Sequence, residues 1–128
     1  MLTVNAHRGE SAIHGHGLIA QEFIPKGALI WVFQPGFDQE IADDAFAQLP
    51  VNARDYLRVY AYYNVNRRVW IFSGDDDRFT NHSDTPNALD DDTRVYAARD
   101  IQAGEEITAD YSDLGETHFL GYSPDRML

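Results

Sequence analysis

Apolar residues along this chain come in short runs, and glycine, proline and aspartate close most of them. Residues 2–6 have the length and composition of a strand, and residues 18–23 of a second, with His14-Gly15-His16-Gly17 as the turn ahead of it. Pro25-Lys26-Gly27 reads as a tight turn, because proline presets φ and glycine supplies a positive φ where one is needed. Residues 28–33 are an unbroken apolar run, β-branched and aromatic, closed by Gln34-Pro35-Gly36. That run predicts a buried strand.

The spacing changes in the middle of the chain. Ile41, Ala45, Phe46 and Leu49 recur at helical intervals, with Asp38 placed to cap a helix and Pro50 to interrupt it. Asn52 is placed to cap a second short helix, with Asp55 three residues on and Tyr56, Val59, Tyr60 and Tyr63 along its apolar side. Residues 68–72, 94–98 and 107–111 return to strand patterns, and turns at 73–75 and 100–104 close the first two. Many short strands, frequent glycine turns and one helical insert predict a mostly β fold with minor α. Periodicity alone selects neither a topology nor a chemistry.

Composition narrows the partners. The 128 residues suit one domain, since domains commonly run to about 100–150 residues, and no repeat or linker divides them. Ten Lys and Arg face 21 Asp and Glu, a net charge of −11. That balance argues against generic binding of a nucleic-acid backbone and favours a cationic partner. The chain has no cysteine, which excludes a disulfide scaffold and a cysteine-ligated metal. Residues 1–8 lack the apolar stretch of a signal peptide, and no run approaches the ~20 residues of a membrane helix. The expectation is a soluble, intracellular protein, cytoplasmic if bacterial, with no membrane partner.

Three segments carry candidate chemistry. Gly15-His16-Gly17-Leu18 lets a backbone approach a ligand closely, but it lacks the third glycine and the helix of a dinucleotide fingerprint. Arg78-Phe79-Thr80-Asn81-His82-Ser83, followed by Pro86-Asn87, is dense in hydrogen-bonding side chains. Gly104-Glu105-Glu106-Ile107-Thr108-Ala109-Asp110-Tyr111 feeds a strand from a glycine turn and delivers a tyrosine. Taken singly, each also reads as an ordinary turn, an Asx-rich loop or a core aromatic. His7, His14, His16, His82 and His118 form no set at metal-ligand spacing, so no metal is expected. The aspartates at 75–77 and 90–92 lack the glycine and terminal glutamate of a calcium loop, and no serine sits in a nucleophile elbow.

In this order the three segments resemble the SET domain of protein lysine methyltransferases. The resemblance spans about residues 7–111 and is closest to minimal, zinc-free bacterial and viral members. It implies a β-clip-like fold of several small sheets, with a C-terminal pseudoknot and a short helical insert. One domain would cover residues 1–128, with the insert at about 38–63 and a lid segment at 112–128. It implies S-adenosyl-L-methionine as cofactor, left as S-adenosyl-L-homocysteine, and no metal. His16, Gly17 and Leu18 would bind the cofactor chiefly through their backbone, with Arg78, Phe79, Asn81 and His82 along its other side. Tyr111 would be catalytic, aligning the reacting groups. Tyr60, Tyr62, Phe119 and Tyr122 would form the lysine channel, with Tyr63 a further candidate.

The implied substrate is a lysine of a basic protein, histone-like or ribosomal, drawn in by acidic residues at 38–44 or 75–77. A homodimer that completes the channel is a further expectation. Two alternatives stand beside this reading: a non-enzymatic SET-like module that binds peptides, and a methyltransferase for a small amine. Asp84 stands where many relatives carry cysteine.

Overall fold

A computed structural model describes residues 1–91 and 93–110. A hairpin begins the fold. β1 (Ala6–Glu10) pairs antiparallel with β2 (His16–Ala20), from Ala6 opposite Ala20 to Glu10 opposite His16. Strand β3 (Leu29–Val32) follows, then β4 (Gln39–Ala42), α1 (Asp43–Gln48), α2 (Val51–Tyr60), β5 (Tyr62–Asn64) and β6 (Val69–Phe72). A 3-10 turn (Asp76–Phe79) leads into the two-residue β7 (Asn81–His82). β8 (Ala88–Asp90), β9 (Arg94–Ala97) and β10 (Glu106–Ala109) complete the described residues.

These strands make three small sheets, in the orders β1-β2-β10-β7, β3-β9-β8 and β4-β6-β5. β10 runs antiparallel to β2 and parallel to β7, so the end of the described chain is inserted between its first hairpin and its middle. Leu18, Ile24, Ile30, Trp31, Ile71, Ile101 and Ile107, all enclosed, form the core, with residues from all three sheets. A second cluster belongs to the insert. Phe46 stacks on Trp70 at 4.5 Å, Tyr63 lies 5.1 Å from the same indole, and Leu57 of α2 closes the group.

The mostly β class with minor α holds, but several boundaries differ from the sequence pattern; the second strand, for one, spans His16–Ala20 instead of 18–23 and takes in half of the expected turn. The first strand lies at 6–10 instead of 2–6, because Ala6–Glu10 finds the hairpin partner while Leu2 makes only a single bridge to Trp31. Asp38 does not cap a helix. Residues 39–42 extend against β6, with Ile41 opposite Trp70, and the helix begins only at Asp43. Asp38 is instead buried, accepting bonds from the backbone N–H groups of Gln34 and Gly74, each at 2.8 Å. Pro50, not Asn52, stands at the N-cap of α2, a position that suits a residue with fixed φ and no N–H to satisfy. Tyr63 accordingly falls in β5 and not on the helix. Among the described residues no helix is long and apolar enough to cross a membrane.

Candidate active site

The loop between β1 and β2 is fixed by one hydroxyl. Ser11 Oγ accepts from the backbone N–H of Ile13 at 3.0 Å and of His14 at 3.1 Å, and donates to Glu106 Oε1 at 2.6 Å. Gly15 takes φ 46°, a left-handed value that a side chain would strain. Asn81, buried at the start of β7, staples this loop from behind. Its Nδ2 donates to the carbonyls of His14 (3.2 Å) and His16 (3.0 Å) and to Glu106 Oε2 (2.9 Å), with Ser11 Oγ at 3.2 Å. Two amide hydrogens are thus shared among four acceptors drawn from both ends of the chain. A Cβ on Gly17 would run into the Glu106 carboxylate, so that position admits only glycine while the staple stands.

A second asparagine sets the far side of β10. Asn87 is enclosed, donates from Nδ2 to the Glu106 carbonyl at 2.8 Å, and accepts from Thr108 N–H on Oδ1 at 2.8 Å. Its amide therefore takes the place of a neighbouring strand and satisfies backbone groups that burial would otherwise leave unpaired.

Beside the staple lies a cavity of about 260 Å³. His14, Gly15 and His16 form one wall, Arg78 and the three residues after it another, and Val59 and Tyr60 at the end of α2 a third. The Phe79 ring meets the His16 ring edge-on at 6.5 Å and the Tyr60 ring at 5.5 Å, and the Arg8 guanidinium lies 5.5 Å above it. Arg78 is held firmly. It donates twice to the Ser73 carbonyl, at 2.9 and 3.2 Å, donates to the Tyr56 hydroxyl at 3.3 Å, and lies 4.2 Å over the Phe72 ring.

A narrower cavity, about 50 Å³, shares Val59, Tyr60, Arg78 and Thr80 with the first. Tyr62, Asp77, Ile107 and Ala109 belong to its remaining walls, and Asp90 to its exposed side. Part of Asp77 reaches the surface, but its carboxyl group is enclosed, and that desolvation pushes its pKa up to about 6. A bond from the Ser73 hydroxyl at 2.7 Å acts in the opposite direction, and the Asp75 charge adds to the rise.

The structure brings His16, Arg78, Phe79, Asn81 and Tyr60 to one cavity and Tyr62 to the other. Gly17 and Leu18 lie just behind the turn, with the Leu18 side chain in the core. His82 follows Asn81, but its ring is turned off the cavity wall. Nε2 lies 2.9 Å from Asp84 and Nδ1 lies 3.7 Å from Asp110. Tyr111, Phe119 and Tyr122 lie outside the described residues, as does the segment expected to thread the pseudoknot. Among the described residues no group of three or more potential ligands could hold a metal ion.

The sequence pattern passed over Ser11, Asp77 and Glu106 as site residues. Ser11 three residues before a histidine and four before a glycine is a side-chain turn signal. Strand alternation puts Glu106 and Thr108 on the face opposite Ile107, which is the available hint for Glu106.

Three chain segments far apart in sequence thus meet around two adjoining cavities, within small sheets joined by a late strand between early ones. The SET domain family model matches residues 15–112, and the chain belongs to that family. It is 31% identical over 115 residues to a Plasmodium falciparum protein named as a candidate histone-lysine N-methyltransferase, covering 80% of this chain and 2% of that protein. A crystal structure of a Plasmodium falciparum candidate histone methyltransferase superposes with a TM-score of 0.59 at 23% identity, covering 86% of this chain and 95% of that one. The Chaetomium thermophilum Polycomb Repressive Complex 2 in an autoinhibited conformation, bound to S-adenosylmethionine, gives 0.65 at 21% identity over 90% of this chain and 16% of that one. The chain therefore spans only a small part of the curated relative and of the Polycomb subunit.

Proposed function

We propose that this chain is an S-adenosylmethionine-dependent N-methyltransferase that modifies lysine side chains of a basic protein, histone-like or ribosomal. The observation that carries the reading is the pair of cavities with one shared wall. A broad one lies against the 14–16 turn, and a narrow one passes Tyr60 and Tyr62. Family membership and the methyltransferase names of its relatives support the same conclusion.

The broad cavity fits the cofactor chemically. Gly15 presents bare backbone, the Phe79 and His16 rings offer flat apolar surface, and His14 Nε2 is enclosed without a hydrogen-bond partner among the described residues. When bound, S-adenosylmethionine supplies a methyl group on a sulfonium, open to in-line displacement by an uncharged amine. What this chain's own residues contribute is alignment, worth several orders of magnitude when the reacting atoms are held in line. A free lysine has a pKa near ~10.4, so its deprotonation at pH 8 costs roughly 3 kcal/mol. An enclosed apolar channel reduces that cost by disfavouring the charged form. The Tyr60 and Tyr62 rings would receive the ammonium on entry through cation–π attraction. We assign Tyr111, which follows Asp110 in the chain, the role of aligner. A phenol with a pKa near ~10 is no better a base at pH 8 than the lysine itself.

The acidic surplus suits a basic partner, though its distribution differs from the sequence expectation. Asp38 is buried, Asp43 is bound to Arg68 at 3.1 Å, Glu40 to Arg67 at 2.5 Å, and Asp75 and Asp77 turn inward. The exposed carboxylate of Asp44 is better placed to steer a cationic peptide.

The test combines the purified chain, S-adenosylmethionine and a histone or ribosomal protein mixture, read by mass spectrometry. Methyl groups should appear on lysines, and Tyr111→Phe should slow their appearance at least tenfold, about 1.4 kcal/mol in the barrier. Cofactor binding by calorimetry without methylation of any basic substrate would reject the enzyme reading.

A further inference from the structure

The turn between β1 and β2 forms one wall of the broad cavity, yet a residue off that wall holds its shape. Ser11 does not line the cavity. Its hydroxyl is a meeting point of three segments. Oγ donates to Glu106 Oε1 at 2.6 Å, accepts from the backbone N–H groups of Ile13 and His14 at 3.0 and 3.1 Å, and lies 3.2 Å from Asn81 Nδ2. A hydroxyl has one hydrogen to give and two lone pairs to receive, so these partners fill it and leave no proton to offer a ligand.

The two bonds from Ile13 and His14 set the course of the turn, and the Ser11 N–H closes its ends by donating to the Gly15 carbonyl at 2.9 Å. The bond to Glu106 ties the turn to β10, 95 residues further along the chain. Ile13 at the tip is 50% exposed, so packing adds little there. The shape of the turn therefore depends on polar ties, and the Ser11 hydroxyl gathers them. A turn shaped before its ligand arrives has already lost conformational freedom that a loose one must lose on binding.

We propose that Ser11 is a positioning residue: through Glu106 and the amides of Ile13 and His14 it presets the 12–16 turn for the cofactor, and so sets cofactor affinity without taking part in methyl transfer. This rests on reading the broad cavity as the S-adenosylmethionine site. Once bound, the cofactor itself holds the turn, so the rate at saturation should hardly depend on the hydroxyl.

The test compares the full chain as wild type, Ser11→Ala, Glu106→Gln and the double variant. Calorimetry should show S-adenosylmethionine bound at least about fivefold more weakly by Ser11→Ala, while kcat on a histone mixture at saturating cofactor stays within a factor of about two. Glu106→Gln keeps only one acceptor oxygen for Ser11 and Asn81 to share, so it should weaken binding as well. The double variant should lose less than the two single losses combined, because both act through one bond. Without cofactor the Ile13 and His14 amides should exchange hydrogen faster in Ser11→Ala, and saturating cofactor should narrow the difference. Unchanged affinity in Ser11→Ala, fully additive losses, or a fall in kcat as large as the loss of affinity would overturn the assignment. A wild type that binds S-adenosylmethionine but methylates no basic protein would sink the enzyme reading, while the affinities and the amide exchange would still decide the role of Ser11.

Discussion

The two hydrophobic clusters of this molecule are made of different material and do different work. The main core is largely aliphatic around Trp31, and the strands that enclose it come from both ends of the described chain. The insert cluster is aromatic, and nearly all of it lies within residues 41–72. The loop-stapling network of Ser11, Asn81 and Glu106 stands on the first, since β2, β7 and β10 belong to that sheet. From the insert the cavities take only the segment Val59 to Tyr62. Both cavities should therefore depend chiefly on the long-range architecture, the narrow one through Ile30, Ala88 and Ile107, with the insert supplying one wall.

Substitution in each region can break that contrast. Leu18→Ala should have the largest effect, roughly 3–4 kcal/mol, because it opens a cavity in a fully enclosed site. Urea denaturation should show one transition, shifted for the whole chain. Phe46→Ala should cost about 2–3 kcal/mol through the loss of its stack on Trp70. Hydrogen exchange should rise chiefly across residues 39–72 and little in β2 and β10; uniform acceleration would mean that the two clusters do not differ.

Asn81→Ala should cost about 2 kcal/mol, since it strands the His14 and His16 carbonyls and weakens the hold on Glu106. It should also lower S-adenosylmethionine affinity at least ~10-fold, whereas Phe46→Ala should leave that affinity within a factor of about three. The smallest effect is a gain. The Asp77 carboxyl has a folded pKa raised from 3.8 to about 6, so folding favours its protonated form. Its contribution is favourable below about pH 4 and becomes a penalty as pH rises through 6. Asp77→Asn should therefore raise stability by up to about 2 kcal/mol at pH 8 and change it little at pH 4, as thermal melts at the two pH values would show. A loss of stability at pH 8 would mark Asp77 as a structural residue.

Local pattern and ordered motifs made much of this legible. The strand at 29–32, the turn at Pro25 and the short helix after Pro50 follow from composition and spacing that no distant partner overrides. The Asp38 helix cap is the instructive departure. Residues 38–42 carry helical spacing, but Ile41 gains an extended partner in Trp70, and Asp38 gains two buried N–H donors. Tertiary pairing outweighed a weak local preference. Four of the residues named from motifs, His16, Arg78, Phe79 and Asn81, line the broad cavity, while Gly17, Leu18 and His82 do not and Tyr111 lies outside the described residues. His82 is absent from the cavity wall, and its ring nitrogens lie 2.9 Å from Asp84 and 3.7 Å from Asp110.

The sequence by itself determined where the chain turns, which stretches extend, which apolar residues are available for a core, and which three segments carry the family's chemistry. Only the tertiary structure decided that one asparagine amide would close over acceptors 65 and 67 residues away, and that Asp77 would line a narrow cavity beside two tyrosines. Conformation at a turn depends on neighbours in the chain and can be read from them. A hydrogen bond across the fold and the charge state of an enclosed acid depend on neighbours in space, which exist only once the sheets have packed.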